Sequence, residues 1–244
     1  MKQLDLSKYT RETIGSVLEY SINWKNVREA EIREACAKAI ANGISRLYVN
    51  TPYFLPILTD ALAGSDVVPG CFIGTSSGSF SGEMKKVEME EGIALGAKVL
   101  VSAINTTAIA VDDWAGVEAD IRAMREGAKG VELVAVLGVA YLTDEQIRKC
   151  CRLCARYGVD AVATSAVNGL FEGPSVDQVL LMADELKDTD VEIKASAIPF
   201  PYAQNAYTLL RAGASAVISW DVLDIRNDFD TMREIGIVPP YAEQ

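Results

Sequence analysis

Few kinds of side chain in this sequence can do chemistry. None of its 244 residues is histidine. That removes Ser-His-Asp and Cys-His catalysis and every histidine-bearing metal site. Acid–base work falls to Lys, Glu, Asp, Tyr, Cys or water. Lys194 stands out by its setting, in the strand-like run "VEIKASAIPF" between Ile193 and Ala195. Such a lysine sits at a sheet edge, pairs with a buried carboxylate, points out between strand and helix, or is placed for chemistry. Inward among apolar residues, its charged form would be disfavoured, which suits an amine nucleophile or base.

Clustered cysteines can also bind metal. Three of the five, Cys150, Cys151 and Cys154, lie together in "LTDEQIRKCCRLCARYG". Ile147, Cys151 and Cys154 share one helical face there, so these thiols read as ordinary core residues rather than metal ligands.

The elements that must position Lys194 follow from the apolar pattern. Strand-like runs occupy 14–21, 45–50, 67–74, 98–104, 131–138, 160–166, 192–197 and 215–220, with amphipathic helical segments between them. The helix of 144–157 carries its own end signals. Thr143 is a cap, Gln146 holds the capping-box position, and Gly158 follows the last turn. Eight strands alternating with helices predict an α/β fold, a (β/α)8 TIM barrel in a single domain. The barrel spans about 12–221, and a C-terminal helix and tail occupy 222–244. An open doubly wound sheet is the alternative. It would normally show a glycine-rich loop after its first strand, and "LEYSINWKN" has no glycine.

A closed barrel has no edge strand, and it carries reactive groups at the C-terminal ends of its strands. Catalytic candidates are Lys194, Tyr20 and Glu19. Candidate substrate-binding residues are Asn50, Thr75, Ser76, Asn105, Ser165, Ser196, Ser219 and Asp221. Thr75 and Ser76 belong to "GTSSGSFSG", either a polar capping loop or an anion cradle at the start of the next helix. No dinucleotide fingerprint or P-loop lysine is present, so no cofactor is expected and no metal is assigned. A carboxylate-only Mg²⁺ site from Glu19, Glu83 and Asp221 is a minor alternative.

A net charge of −11 disfavours nucleic acid and anionic membranes as partners. No apolar run is long enough to span a bilayer, and "MKQLDLSKYTRETIGS" lacks a signal-peptide core, so a cytoplasmic location is expected. The residues allow a homodimer without specifying one.

Read in order, the strands resemble those of the deoxyribose-phosphate aldolase family over roughly residues 12 to 221. "ISRLYVNTPYFLP" is similar to the family's Val-Asn-Pro phrase. "FIGTSSGSFSGEMKKVEMEEGIALGAKVLVSAIN" resembles its Ile-Gly-Phe-Pro loop, long helix and fourth strand. "IKASAIPFPYAQNAYTLLRAGAS" resembles its Val-Lys-Ala-Ser-Gly-Gly segment. The resemblance implies a class I aldolase on a (β/α)8 barrel. A strand-six lysine would form the Schiff base, with a strand-seven lysine and a strand-four aspartate assisting proton transfer.

The departures fall on that machinery. The Schiff-base position is Ala163, and the aspartate position is Val101. Two strand-five positions are Val134 and Gly138. The glycine pair is Ala197-Ile198, and the strand-eight turn is Ile218-Ser219-Trp220. Of the proton-transfer set only Lys194 remains.

Three readings of function follow. The first is a divergent carbon–carbon lyase acting on a small carbonyl compound, with Lys194 as Schiff-base amine. Tyr20, Tyr48, Tyr141 or the tail residue Tyr241 would then move the proton. The second is a non-aldolase barrel enzyme, an isomerase, cyclase or elimination catalyst, using Lys194 as base or electrostatic group. The third is a non-catalytic binding or assembly protein.

Overall fold

The computed structural model describes residues 4–22, 26–74, 78–165 and 173–242, so Thr75 and Ser76 lie outside the described residues. Eight strands run parallel in sequence order and close into a barrel, β8 pairing with β1. They are β1 (Leu18–Ile22), β2 (Arg46–Val49), β3 (Val68–Ile73), β4 (Val99–Ala103), β5 (Glu132–Val136), β6 (Ala161–Ala163), β7 (Glu192–Ser196) and β8 (Ala216–Ser219). The helices are α1 (Glu29–Ala41), α2 (Leu55–Ala61), α3 (Gly82–Ala94), α4 (Thr106–Ala110), α5 (Trp114–Gly127), α6 (Asp144–Arg156), α7 (Val176–Glu185), α8 (Tyr202–Ala212) and α9 (Val222–Glu234). The α/β barrel read from the sequence is the observed fold. Among the described residues, no helix is long and apolar enough to cross a membrane.

The barrel forms because its strands are apolar on both faces, as parallel strands under helices must be. Alternate residues serve two cores. Leu18, Tyr20 and Ile22, Leu133 and Ala135, and Ile193 and Ala195 pack outward into the helix-facing core. Val99, Val101 and Ala103, Val134 and Val136, Ala161 and Ala163, and Ile218 fill the barrel interior. Helix α6 shows how the outer layer is built. Its capping box is present, and Ile147, Cys150, Cys151 and Cys154 are buried. All five cysteines are buried and free, and burial pushes the Cys150 thiol up to about 12.

One boundary differs in a way that matters for the site. Residues Ile14–Val17 form a 3-10 turn, and β1 begins only at Leu18. Gly15 lies hard against the end of α1. A Cβ there would stand 2.2 Å from the Asn42 carbonyl oxygen, so this stretch packs under the helix instead of joining the sheet. Glu19, read from the sequence as a strand-end residue, is therefore the second residue of β1.

Just beyond β7 the chain turns through a left-handed conformation at Ala197, φ 56°. An alanine Cβ crowds the backbone in that region. Ala197→Gly is expected to raise stability by about 1 kcal/mol, or about 2–4 °C in a thermal melt. A lowered melting temperature would contradict that strain.

Candidate functional site

Lys194 is the third residue of β7 and faces the barrel interior with no solvent exposure. Its surroundings are not the apolar lining that Val101, Val134 and Ala163 suggest in the sequence. Its Nζ donates to Glu132 Oε1 at 2.6 Å and to Glu19 Oε1 at 3.0 Å. Arg46 completes the cluster. Its Nη1 reaches Glu19 at 3.1 Å, and its Nη2 reaches Glu132 at 2.8 Å. The Tyr48 hydroxyl donates to the other Glu19 oxygen at 2.6 Å. Two cations face two carboxylates, so the cluster is neutral, and each carboxylate accepts charge-assisted hydrogen bonds from both cations.

The position of this cluster decides what it can do. Glu132 and Arg46 are the first residues of β5 and β2, and Glu19 is the second of β1. The Lys194 chain thus reaches back toward the N-terminal floor of the barrel, away from the mouth where substrates of barrel enzymes bind. Above it lie Val101, Val134, Ala163 and Ile218, all buried. Arg46 and Glu132 are part-exposed at the floor, with side chains 24% and 22% accessible. Tyr48 lies across Gly70. A Cβ on that residue would fall 2.3 Å from the Tyr48 ring, so glycine there makes room for the phenol.

The electrostatics follow from the geometry. Burial, and then the Glu19 carboxylate, push the Tyr48 phenol well above its ordinary range. Burial alone would raise the Glu132 carboxyl. The Lys194 ammonium and Arg46 guanidinium outweigh it and hold that carboxyl below the usual 4.5.

The other sequence candidates scatter. Tyr20 points away from Lys194, because strand alternation turns it into the helix-facing core. Its electrostatic neighbours are Lys38 and Glu34 of α1 and Asp221 and Asp224 around the start of α9, and burial raises its phenol. Asn105 caps α4, its side chain accepting from Ala108 N–H at 3.0 Å. Ser219 accepts from Asp221 N–H at 3.0 Å. Asp221 stands at the N-cap of α9, where burial raises its carboxyl. Asn50 follows β2 and is partly buried. Ser196 and Ser165 do meet. Ser196 Oγ donates to the Ser165 carbonyl at 2.6 Å and accepts from the Ser165 N–H at 3.2 Å.

Tyr241 does not cover the mouth. Its ring stacks on Arg233 at 3.7 Å, near the far end of α9. Glu19, Glu83 and Asp221 do not converge. Among the described residues no group of three or more His, Cys, Asp or Glu side chains could hold a metal ion.

Sequence reasoning missed Arg46 and Glu132. Their signal was present: each opens a strand on the parity that Tyr48 or Val134 continues into the interior. The lowered Glu132 carboxyl sets a pH dependence with a definite sign. A carboxyl depressed by folding stabilises the protein above its unfolded value, and that stability is lost as pH falls through the folded value. The wild-type melting temperature should therefore drop as pH falls below 4.5, the ordinary value. Glu132→Gln should be less stable at neutral pH and flatter across that range. Parallel melting curves for the two proteins would show that Glu132 does not sense the cluster.

No protein-family profile matches the chain. Individual relatives do. Deoxyribose-phosphate aldolase 1 of Cutibacterium acnes is 30% identical over 205 residues, covering 84% of this chain and 93% of the relative. The deoxyribose-phosphate aldolase of Deinococcus radiodurans is 30% identical over 203 residues, covering 83% and 90%. The tetrameric deoxyribose phosphate aldolase of Aeropyrum pernix superposes with a TM-score of 0.81 over 91% of this chain and 93% of its own, at 18% identity. That last likeness is one of fold. The two sequence relatives carry the stronger statement: this chain belongs to the deoxyribose-phosphate aldolase family.

Proposed function

We propose that the protein binds a small carbonyl compound at the C-terminal mouth of its barrel and handles it without forming an imine. The observation that carries this reading is the state of Lys194. Its Nζ is held by two carboxylates and has no solvent exposure. Attack on a carbonyl needs a free amine lone pair. To supply one, Lys194 would have to give up its proton and with it the ion pairs that hold it, and breaking a buried pair costs about 3–5 kcal/mol. Residue 163 is alanine and has no amine to offer. In this reading Lys194 holds the floor together, and any polarisation of the carbonyl at the mouth comes from hydrogen bonds.

Carbon–carbon cleavage through Lys194 is the second reading, and one observation favours it. The register neighbours of Lys194 on the flanking strands are Ala163 and Ala216, small residues that leave its side chain room. Glu132 or Glu19 would take the ammonium proton. Nζ would then add to the carbonyl carbon, and water would leave as the iminium forms. As the carbon–carbon bond breaks, its electron pair would pass to that iminium to give an enamine, the β-hydroxyl would give its proton to water as that fragment leaves as a second carbonyl, and protonation and hydrolysis of the enamine would free Nζ.

Sodium borohydride separates the two. Intact mass is measured after reduction with acetaldehyde, pyruvate, dihydroxyacetone or glyceraldehyde, for wild type, Lys194→Met and Lys194→Arg. Equal labelling of all three proteins is expected. An adduct on wild type alone, mapped to Lys194, would overturn the imine-free reading in favour of the lyase. Lys194→Arg keeps a cation between the carboxylates, so its melting temperature should stay nearer wild type. Lys194→Met should lose about 3–5 kcal/mol in chemical denaturation.

A further inference from the structure

Two serines above the floor have no explanation in the fold. Ser21 is one alternation beyond Glu19 on β1, so it shares the interior face. It is fully buried, and its Oγ has no hydrogen-bond partner. Ser165 follows β6 on the parity of Ala161 and Ala163. It is 6% exposed, and its Oγ is also unpartnered. Its backbone is occupied by Ser196, but its hydroxyl is not. Buried hydroxyls nearly always find partners, because burial strips them of water. Two are left open on the inside of one barrel, where a ligand could supply the missing bonds.

The walls say what kind of ligand. Val101, Ala103, Val134, Val136 and Ile218 line the same interior. The interior cations, Lys194 and Arg46, are both committed to carboxylates. A phosphate group entering there would find no unpaired cation among the described residues of the barrel wall. The chain's net charge of −11 would oppose it further. A serine hydroxyl both donates and accepts, so it suits a carbonyl or an alcohol equally well.

We propose that the mouth takes an uncharged, unphosphorylated hydroxy-carbonyl compound, its polar atoms received by Ser21 Oγ and Ser165 Oγ. This rests on the carbonyl-binding reading above and narrows it to a ligand class.

Calorimetric titration tests it on the whole chain. Dihydroxyacetone, glycolaldehyde and 2-deoxyribose are compared with dihydroxyacetone phosphate and 2-deoxyribose 5-phosphate. Neutral compounds should bind, and their phosphorylated counterparts should bind at least about tenfold more weakly. Ser21→Ala and Ser165→Ala should each weaken the neutral ligand by about tenfold while raising the melting temperature of the free protein, since each removes an unpaired buried hydroxyl.

Ser102→Ala is the control. Its hydroxyl is equally buried and unpartnered, but it lies on the helix-facing side of β4, so binding should be unchanged. Tighter binding of the phosphorylated compounds would overturn the ligand class and leave the carbonyl reading standing. Unchanged affinity in both serine variants would overturn the placement. Failure of every compound to bind would remove both readings.

Discussion

The floor of this barrel depends on one buried ionic cluster. Lys194, Arg46, Glu19 and Glu132 come from four strands, β7, β2, β1 and β5. None of these charges could be buried alone, because an unpaired ion in that setting costs several kcal/mol. Together they are neutral and mutually hydrogen-bonded, and Tyr48 satisfies the remaining Glu19 oxygen. Because Lys194 and Glu19 lie 175 residues apart in the chain, the cluster ties the first strand to the seventh across the closed barrel.

The same cluster divides the barrel in polarity. Below the apolar layer of Val101, Val134, Ala163 and Ile218, the charges are spent on one another. Above it, the described interior residues Ser21, Ser165 and Ser196 carry hydroxyls. A second buried pair does the equivalent work outside the strands. Lys85 Nζ lies 2.8 Å from both oxygens of Asp120 and also donates to the Ala103 carbonyl. Asp120 in turn accepts the Asn105 N–H at 2.9 Å, so α3 and α5 together pin the turn that follows β4. Burial lowers the Lys85 amine and raises the Asp120 carboxyl. Both buried lysines, Lys85 and Lys194, are thus paired with carboxylates.

Family membership and chemistry rest on different amounts of sequence, for a physical reason. The fold needs apolar alternation and strand order, and about 30% identity over most of the chain preserves both. The imine chemistry that the resemblance implies needs one amine at one position, and the resemblance puts Ala163 there. The strand-seven lysine remains, but its bonding differs from what a reactive amine needs. A retained residue type therefore says less than the atoms its nitrogen touches.

Much of this was legible in the residues themselves. Period-two runs alternating with amphipathic helices determine a parallel, helix-covered sheet. The Thr143–Gln146 capping box was readable to the residue, and so was the absence of histidine chemistry. The burial of Lys194 followed from closure, since a closed barrel has no edge. The tertiary structure decided the rest. Glu19 moved from mouth to floor because Gly15 must pack under α1, a contact between segments distant in sequence. Tyr20 left the candidate site because alternation allows only one of two neighbours to face inward. Arg46 and Glu132 could not be matched to Lys194 from the chain alone. A side chain's partner across a barrel depends on register summed over eight strands, and a local sequence carries the alternation without that sum.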